Sequence, residues 1–275
     1  WMTTREVFPN APLAMVVAET KFAYVPELDQ SSAKVEALAA IKSMLPVMER
    51  TVQNSVEIKL GPDGSVQPQT KTLDMLQARA PDSQTTAAVS SESLTVAMSG
   101  LVYTKFEESL RPLLETAIDG LQKAFPGTYV TRTGLRYLDE IRVPSPPSSL
   151  DGWARWIAMP LLGGVELLND FDSRVVEMRS TYRYDLPDKR QVVFNWGPFV
   201  GTGVVGPDHP FHRADVHPES MFVLDLDASW TPTGALEPLT TADLLAVYDG
   251  LHEPAQAVFQ RAITDEARTL FRSKQ

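Results

Sequence analysis

The stretch TYVTRTGLRYLDEIRVP (128–144) alternates with the two-residue period of a β-strand. Arg132, Gly134, Arg136, Leu138, Glu140 and Arg142 fall on one face, and Leu135, Tyr137, Ile141 and Val143 on the other. One side is core-like and the other carries charge. Upstream, Phe106, Leu110, Leu113, Leu114, Ala117 and Leu121 recur at spacings of three and four, which predicts a helix over 103–125 with a kink at Pro112 and an end at Gly127. Downstream, PSPPSSLDG (144–152) has linker composition.

The same patterns extend in both directions. LAMVVAETKFAY (13–24) predicts a mostly buried strand, polar only near Glu19 and Lys21. Val35, Leu38, Ala39, Ile41, Leu45 and Met48 predict a helix over 32–50. Strands are expected at 55–60 and 72–79, split by GPDGS, and at 87–102. Past the linker come a short Trp-rich helix (153–162), strands at 174–186 and 191–200 joined by a PDK turn, and a strand at 221–230. Thr240 and Asp243 have capping-box spacing and open a helical region running through 263. The expected fold is α+β, with antiparallel sheets packed with two or three long helices. Segments 2–143 and 150–275 are expected either as two similar halves or as one continuous domain.

Composition sets outer bounds. At 43% hydrophobic and 22% charged residues, a chain of this length has enough apolar material for a sizeable core. A net charge of −10 repels a phosphate backbone at long range and argues against nonspecific nucleic-acid binding. The absence of cysteine rules out disulfides and thiolate chemistry. Apolar runs such as LAMVVA are too short to cross a bilayer. No basic stretch followed by an apolar core opens the chain, so Met2 reads as the start and the cytoplasm as the expected compartment.

GLRYLDEI (134–141), LDLD (224–227) and LHEPAQAVFQRAIT (251–264) occur in this order, after the proline-rich strand entry FPNAPLAMVV (8–17). Together they resemble a sporadically distributed family of uncharacterised bacterial proteins with a central RxGLRYxNxI and a closing LHxxxxxxFxxxIT. Asp139 stands where that family has asparagine, and Pro254 interrupts the terminal helix. The resemblance brings no activity or catalytic residue. Patchy occurrence of this kind is typical of mobile or defence-related islands, so it implies an accessory role in a defence or toxin–antitoxin locus.

Several constellations are candidates for chemistry. In VVEMRSTYRYD (175–185), Glu177, Arg179, Thr181, Arg183 and Asp185 share a face. If this strand neighbours 128–144, then Arg132, Arg136, Arg179 and Arg183, extended by Glu19 and Lys21, form a polar sheet face able to bind an anion through bidentate hydrogen bonds. The bland alternative is a set of cross-strand ion pairs on a wet face. Asp225 and Asp227 share a strand face about 7 Å apart, suitable for a divalent metal, for acid–base work, or simply for solvent.

DHPFHRADVHPE (208–219) gathers His209, His212 and His217 with Asp208 and Asp215, either as metal ligands or as a polar loop. Pro210 and Pro218 break the regular geometry a metal site needs, and a loop is the expectation. His252 shares a helical stripe with Phe259 and is expected to be a buried structural latch. Alternating Glu, Lys and Arg is how triphosphate-tunnel phosphohydrolases hold their substrate, but Val17 occupies the first glutamate position of ExExK. Walker A, GxGxxG, GxSxG and HExxH are missing, and GTGVVG (201–206) has the wrong spacing for a nucleotide loop.

Three functional readings follow. The leading one is a non-catalytic binding protein without a cofactor, whose arginine-bearing face meets a protein partner or an anionic small molecule. The second is a hydrolase of a nucleotide or phosphorylated small molecule, using Asp225 and Asp227 for a divalent metal. The third is a structural homo-oligomer.

Overall fold

The computed structural model describes residues 6–60, 66–163, 178–206, 209, 211, 218–234, 236–238 and 240–273, with side chains for all of these except 53–60, 66–71 and 237. In chain order come β1 (Leu13–Phe22), α1 (Ser31–Ala37), β2 (Val47–Leu60), β3 (Val66–Arg79), β4 (Thr85–Val89), β5 (Ser93–Ser99), α2 (Arg111–Ala124) and β6 (Tyr129–Ile141). Then follow β7 (Ser180–Asp185), β8 (Arg190–Gly201), β9 (Glu219–Trp230), β10 (Glu237–Pro238), α3 (Thr241–Ala262) and α4 (Asp265–Arg272). The fold is α+β. One antiparallel sheet runs in the order β2-β3-β4-β5-β1-β6-β9-β8-β7, with the two-residue β10 beside β6 off this path.

The strands of the two expected halves join this one sheet through the pairing of β6 with β9. Helices α1, α2 and α3 contact the sheet, at β3, at β5, and at β6, β8 and β9 respectively. The large core lies between them and the sheet. It takes Val16, Ala18 and Phe22 from β1, Leu135, Tyr137 and Ile141 from β6, and Leu224 and Leu226 from β9. The opposite face carries a smaller cluster of Ala14, Ala97, Leu138, Val205 and Phe211. Strand β6 is therefore core-lined by its odd positions, as its alternation predicts.

One departure from the expected elements is set by proline. The helix expected over 32–50 ends at Ala37, followed by a 3-10 turn at Ala39–Ile41, and β2 begins at Val47. Pro46 has no N–H and disfavours the helical conformation of the residue before it. Pro112 falls at the junction of two helical types: it lies in the first turn of α2, directly after a turn in which the Arg111 N–H bonds the Phe106 carbonyl five residues back. The turn before it, Phe106–Leu110, is a π-helix. The expected strand 87–102 folds into the β4–β5 hairpin, and the Trp-rich helix becomes two 3-10 turns, Asp151–Arg155 and Met159–Leu161.

Pro254 is accommodated differently. Helix α3 passes through it without a break, and Thr240 caps the start by accepting from the Asp243 N–H. The proline removes the N–H that would bond the Gly250 carbonyl four residues back. Arg190 supplies the replacement, its Nη1 donating to Gly250 O at 3.1 Å.

Candidate functional site: a charged strip on the open sheet face

Three rows of directly opposed residues cross the face turned away from the helices. Glu19, Gly134, Ser229, Gln191 and Asp185 form one, on β1, β6, β9, β8 and β7 in turn. Val17, Arg136, Asp227, Val193 and Arg183 form the next, and Met15, Leu138, Asp225, Asn195 and Thr181 the third. Because opposed residues point to the same side, the strand alternation read from sequence becomes a two-dimensional array.

The charges in this array pair diagonally. Arg136 grips Asp225 with two parallel bonds, Nε to Oδ1 at 2.7 Å and Nη2 to Oδ2 at 2.9 Å. Asn195 Nδ2 donates to the same carboxylate at 3.3 Å, and Thr181 Oγ1 donates to Asn195 at 2.7 Å. Arg132 bridges Glu19 at 3.2 Å and Asp227 at 3.3 Å. Lys21 stands 3.9 Å from Glu19 at the end of the strip. Burial pushes the Asp227 carboxyl above its ordinary pKa, against the pull of Arg132 and Arg136. The hydrogen bond to Asp225 holds the Arg136 guanidinium above its usual value.

Gly134 explains how Arg132 reaches both acids. A Cβ at position 134 would lie 2.7 Å from Arg132 Nη1, so the guanidinium lies flat over the bare glycine. That is the physical role of the glycine in GLRY.

The predicted arginines do not all converge. Arg183 faces the same side as Arg136, but β9 and β8 stand between their strands, about 14 Å in total. Arg179 lies just before β7 and is exposed. Neither makes an ion pair among the described residues, and Glu177 lies outside them. Asp225 and Asp227 do share a face, as expected, with both carboxylates engaged by arginine. Among the described residues no three His, Asp or Glu side chains form a group that could hold a metal ion.

Of the histidine loop, only His209 is described. Its Nδ1 accepts the Phe211 N–H at 3.2 Å, its ring packs against Phe211, and burial lowers its pKa. His212, His217, Asp208 and Asp215 lie outside the described residues.

His252 is buried on α3, stacked on Phe106 with ring centroids 4.8 Å apart. It shares a 2.8 Å hydrogen bond with the Tyr137 hydroxyl, which in turn lies 3.4 Å from that of Tyr103. Burial raises the pKa of both tyrosines, so each stays protonated. The contact ties GLRYLDEI to LHEPAQAVFQRAIT, with Phe259 one stage along the helix packed edge-on against Phe8. Tyr137→Phe is expected to cost about 1–2 kcal/mol in urea denaturation. An unchanged midpoint would show that this bond contributes nothing to stability.

Sequence reasoning missed two groups. Tyr103 was assigned only to the start of a helix. Glu140 and Arg142 carry the i,i+2 signal of a shared strand face, yet what they bind arrives from the distant segment 201–206. Glu140 accepts from Val204 N at 2.8 Å and from Arg142 at 2.9 Å, while Arg142 also donates to Thr202 O at 2.7 Å and pairs with Glu219.

No protein-family model matches the chain, and no similar sequence is found among curated proteins. No helix among the described residues is long and apolar enough to cross a membrane.

Proposed function

We propose that the chain is a non-catalytic binding protein that docks a protein partner on the open face of its sheet, through the strip of Glu19, Lys21, Arg132, Arg136, Asp225 and Asp227 and the outlying Arg183. The observation that carries this reading is the diagonal lattice of ion pairs, fixed by Gly134 and Asn195 and still accessible: the Arg136 and Arg132 side chains are 47% and 30% exposed. The guanidinium groups of Arg132 and Arg136 already have carboxylates. A free anion would have to displace an intramolecular acid held bidentately, whereas a protein surface of complementary alternating charge need not. The motif resemblance supports a bacterial, cytoplasmic accessory protein of a defence or toxin–antitoxin locus as the setting.

The test is affinity capture from the native host, comparing wild type with Arg136→Ala and Gly134→Ala. Arg136→Ala removes the fork on Asp225, and Gly134→Ala displaces Arg132 without changing any charge. Both are expected to release the captured partner by about tenfold or more while the thermal midpoint moves little. Equal capture by all three proteins would remove the strip from the proposal. The hydrolase reading requires a divalent metal to evict both arginines from Asp225 and Asp227. Phosphate release from nucleotides with Mg²⁺ or Mn²⁺ that Asp225→Asn abolishes would put that reading in its place.

A further inference from the structure

The hairpin between β7 and β8 contains a backbone outlier. Asp188 and Lys189 are both left-handed, at φ 59° and 60°. A turn of this hand is usually built from Asn-Gly or Asp-Gly, since a Cβ in that region crowds the following carbonyl. Aspartate tolerates the conformation through its short polar side chain, but lysine has no such compensation. Strain of this kind is kept where the side chain itself is used.

Lys189 lines a groove of about 710 Å³ between the hairpin and the end of β9, together with Arg190, Gln191, Ser229, Thr231 and Thr233. Arg190 is fixed by Pro187 O at 3.2 Å, Gly250 O at 3.1 Å and Asp188 at 3.5 Å. Asp185, also at the groove, accepts from Gln191 Nε2 at 2.9 Å. Lys189 makes no ion pair among the described residues, and it lines the groove together with three hydroxyl side chains. A volume of this size suits a small molecule. An ammonium with hydroxyl donors around it suits a phosphoryl group.

We propose that this groove binds the phosphomonoester of a small molecule, with Lys189, Ser229, Thr231 and Thr233 as donors. The groove adjoins the β7–β8 end of the same array through Asp185, Gln191 and Ser229, but its proposed donors are not residues of the arginine strip, so either proposal stands if the other fails.

Inorganic phosphate titrated into the ¹⁵N-labelled protein should shift the Gln191 and Ser229 amides saturably, with a dissociation constant on the order of millimolar. Lys189→Gly should weaken binding at least about tenfold while raising the thermal midpoint, because glycine relieves the strained turn. Lys189→Arg should retain binding, Asp185→Asn should tighten it, and Lys42→Gln, which removes a distant surface charge, should leave it unchanged. No saturable shift in the wild type, or phosphate binding by Lys189→Gly equal to wild type, would overturn the proposal. Tighter binding of glycerol phosphate than of inorganic phosphate supports the small-molecule assignment. Tightening by a phosphoserine peptide alone overturns that assignment in favour of a modified protein.

Discussion

Asp139→Asn is expected to stabilise the protein at pH 8 by on the order of 2–4 kcal/mol and to change little at pH 4. Asp139 faces the helix side of β6, opposite Leu13 and Leu224, and is 5% exposed. Among the described residues its carboxyl has no hydrogen-bond or ion-pair partner. Burial, reinforced by the charge of Asp225, pushes its pKa up to about 8. An unfolded chain ionises the same group near pH 4.

The raised value fixes the sign. Between about pH 4 and 8 the unfolded state sheds a proton that the native state keeps, so stability falls steadily as pH rises through that window and levels off above it. Asparagine has the same shape and no proton to lose, so the slope should vanish with the substitution. Urea midpoints at pH 4.5 and pH 8 measure the effect. A gain of equal size at both would mean that ionisation of Asp139 is not its origin.

Arg142→Met is expected to cost about 3–5 kcal/mol, the largest loss predicted here. The Glu140 side chain is 3% exposed, and Arg142 is the cation that neutralises it. Removing that cation strands a buried carboxylate and also releases Thr202 O and Glu219. Methionine keeps much of the aliphatic stem, so the loss would come from charge more than from packing. Adding Glu140→Gln should recover part of it, because the remaining polar group is neutral and its carbonyl can still accept from Val204 N. Hydrogen exchange across 201–206 should accelerate in the single variant. A loss below about 1 kcal/mol would show that water reaches Glu140 easily enough to replace the guanidinium.

Local patterns carried much of the fold. Alternation identified β6 and the hairpin of β7 and β8, and Thr240 with Asp243 marked the start of α3. Helix–strand errors came where proline overruled an apolar stripe, as at Pro46. The order of strands was not legible, because the pairing of β1 with β5 and β6 depends on contacts far apart in the chain. For the site, the periodicity of LDLD and TRTGLRYLDEIR placed the right residues on one face. What each arginine would meet is a matter of register between strands, and no local spacing encodes that. The same holds for Tyr103 and for the arrival of Val204 at Glu140.

The central place of β1 has a consequence for biosynthesis. This strand leaves the ribosome before β5 and β6, the neighbours that flank it in the finished sheet. Until β6 has emerged, the nascent chain must hold LAMVVAETKF with an unmatched edge, in a form prone to adhere to other chains. Its maturation should therefore be slow and responsive to chaperones, since closure of the sheet centre waits on the late-emerging strand.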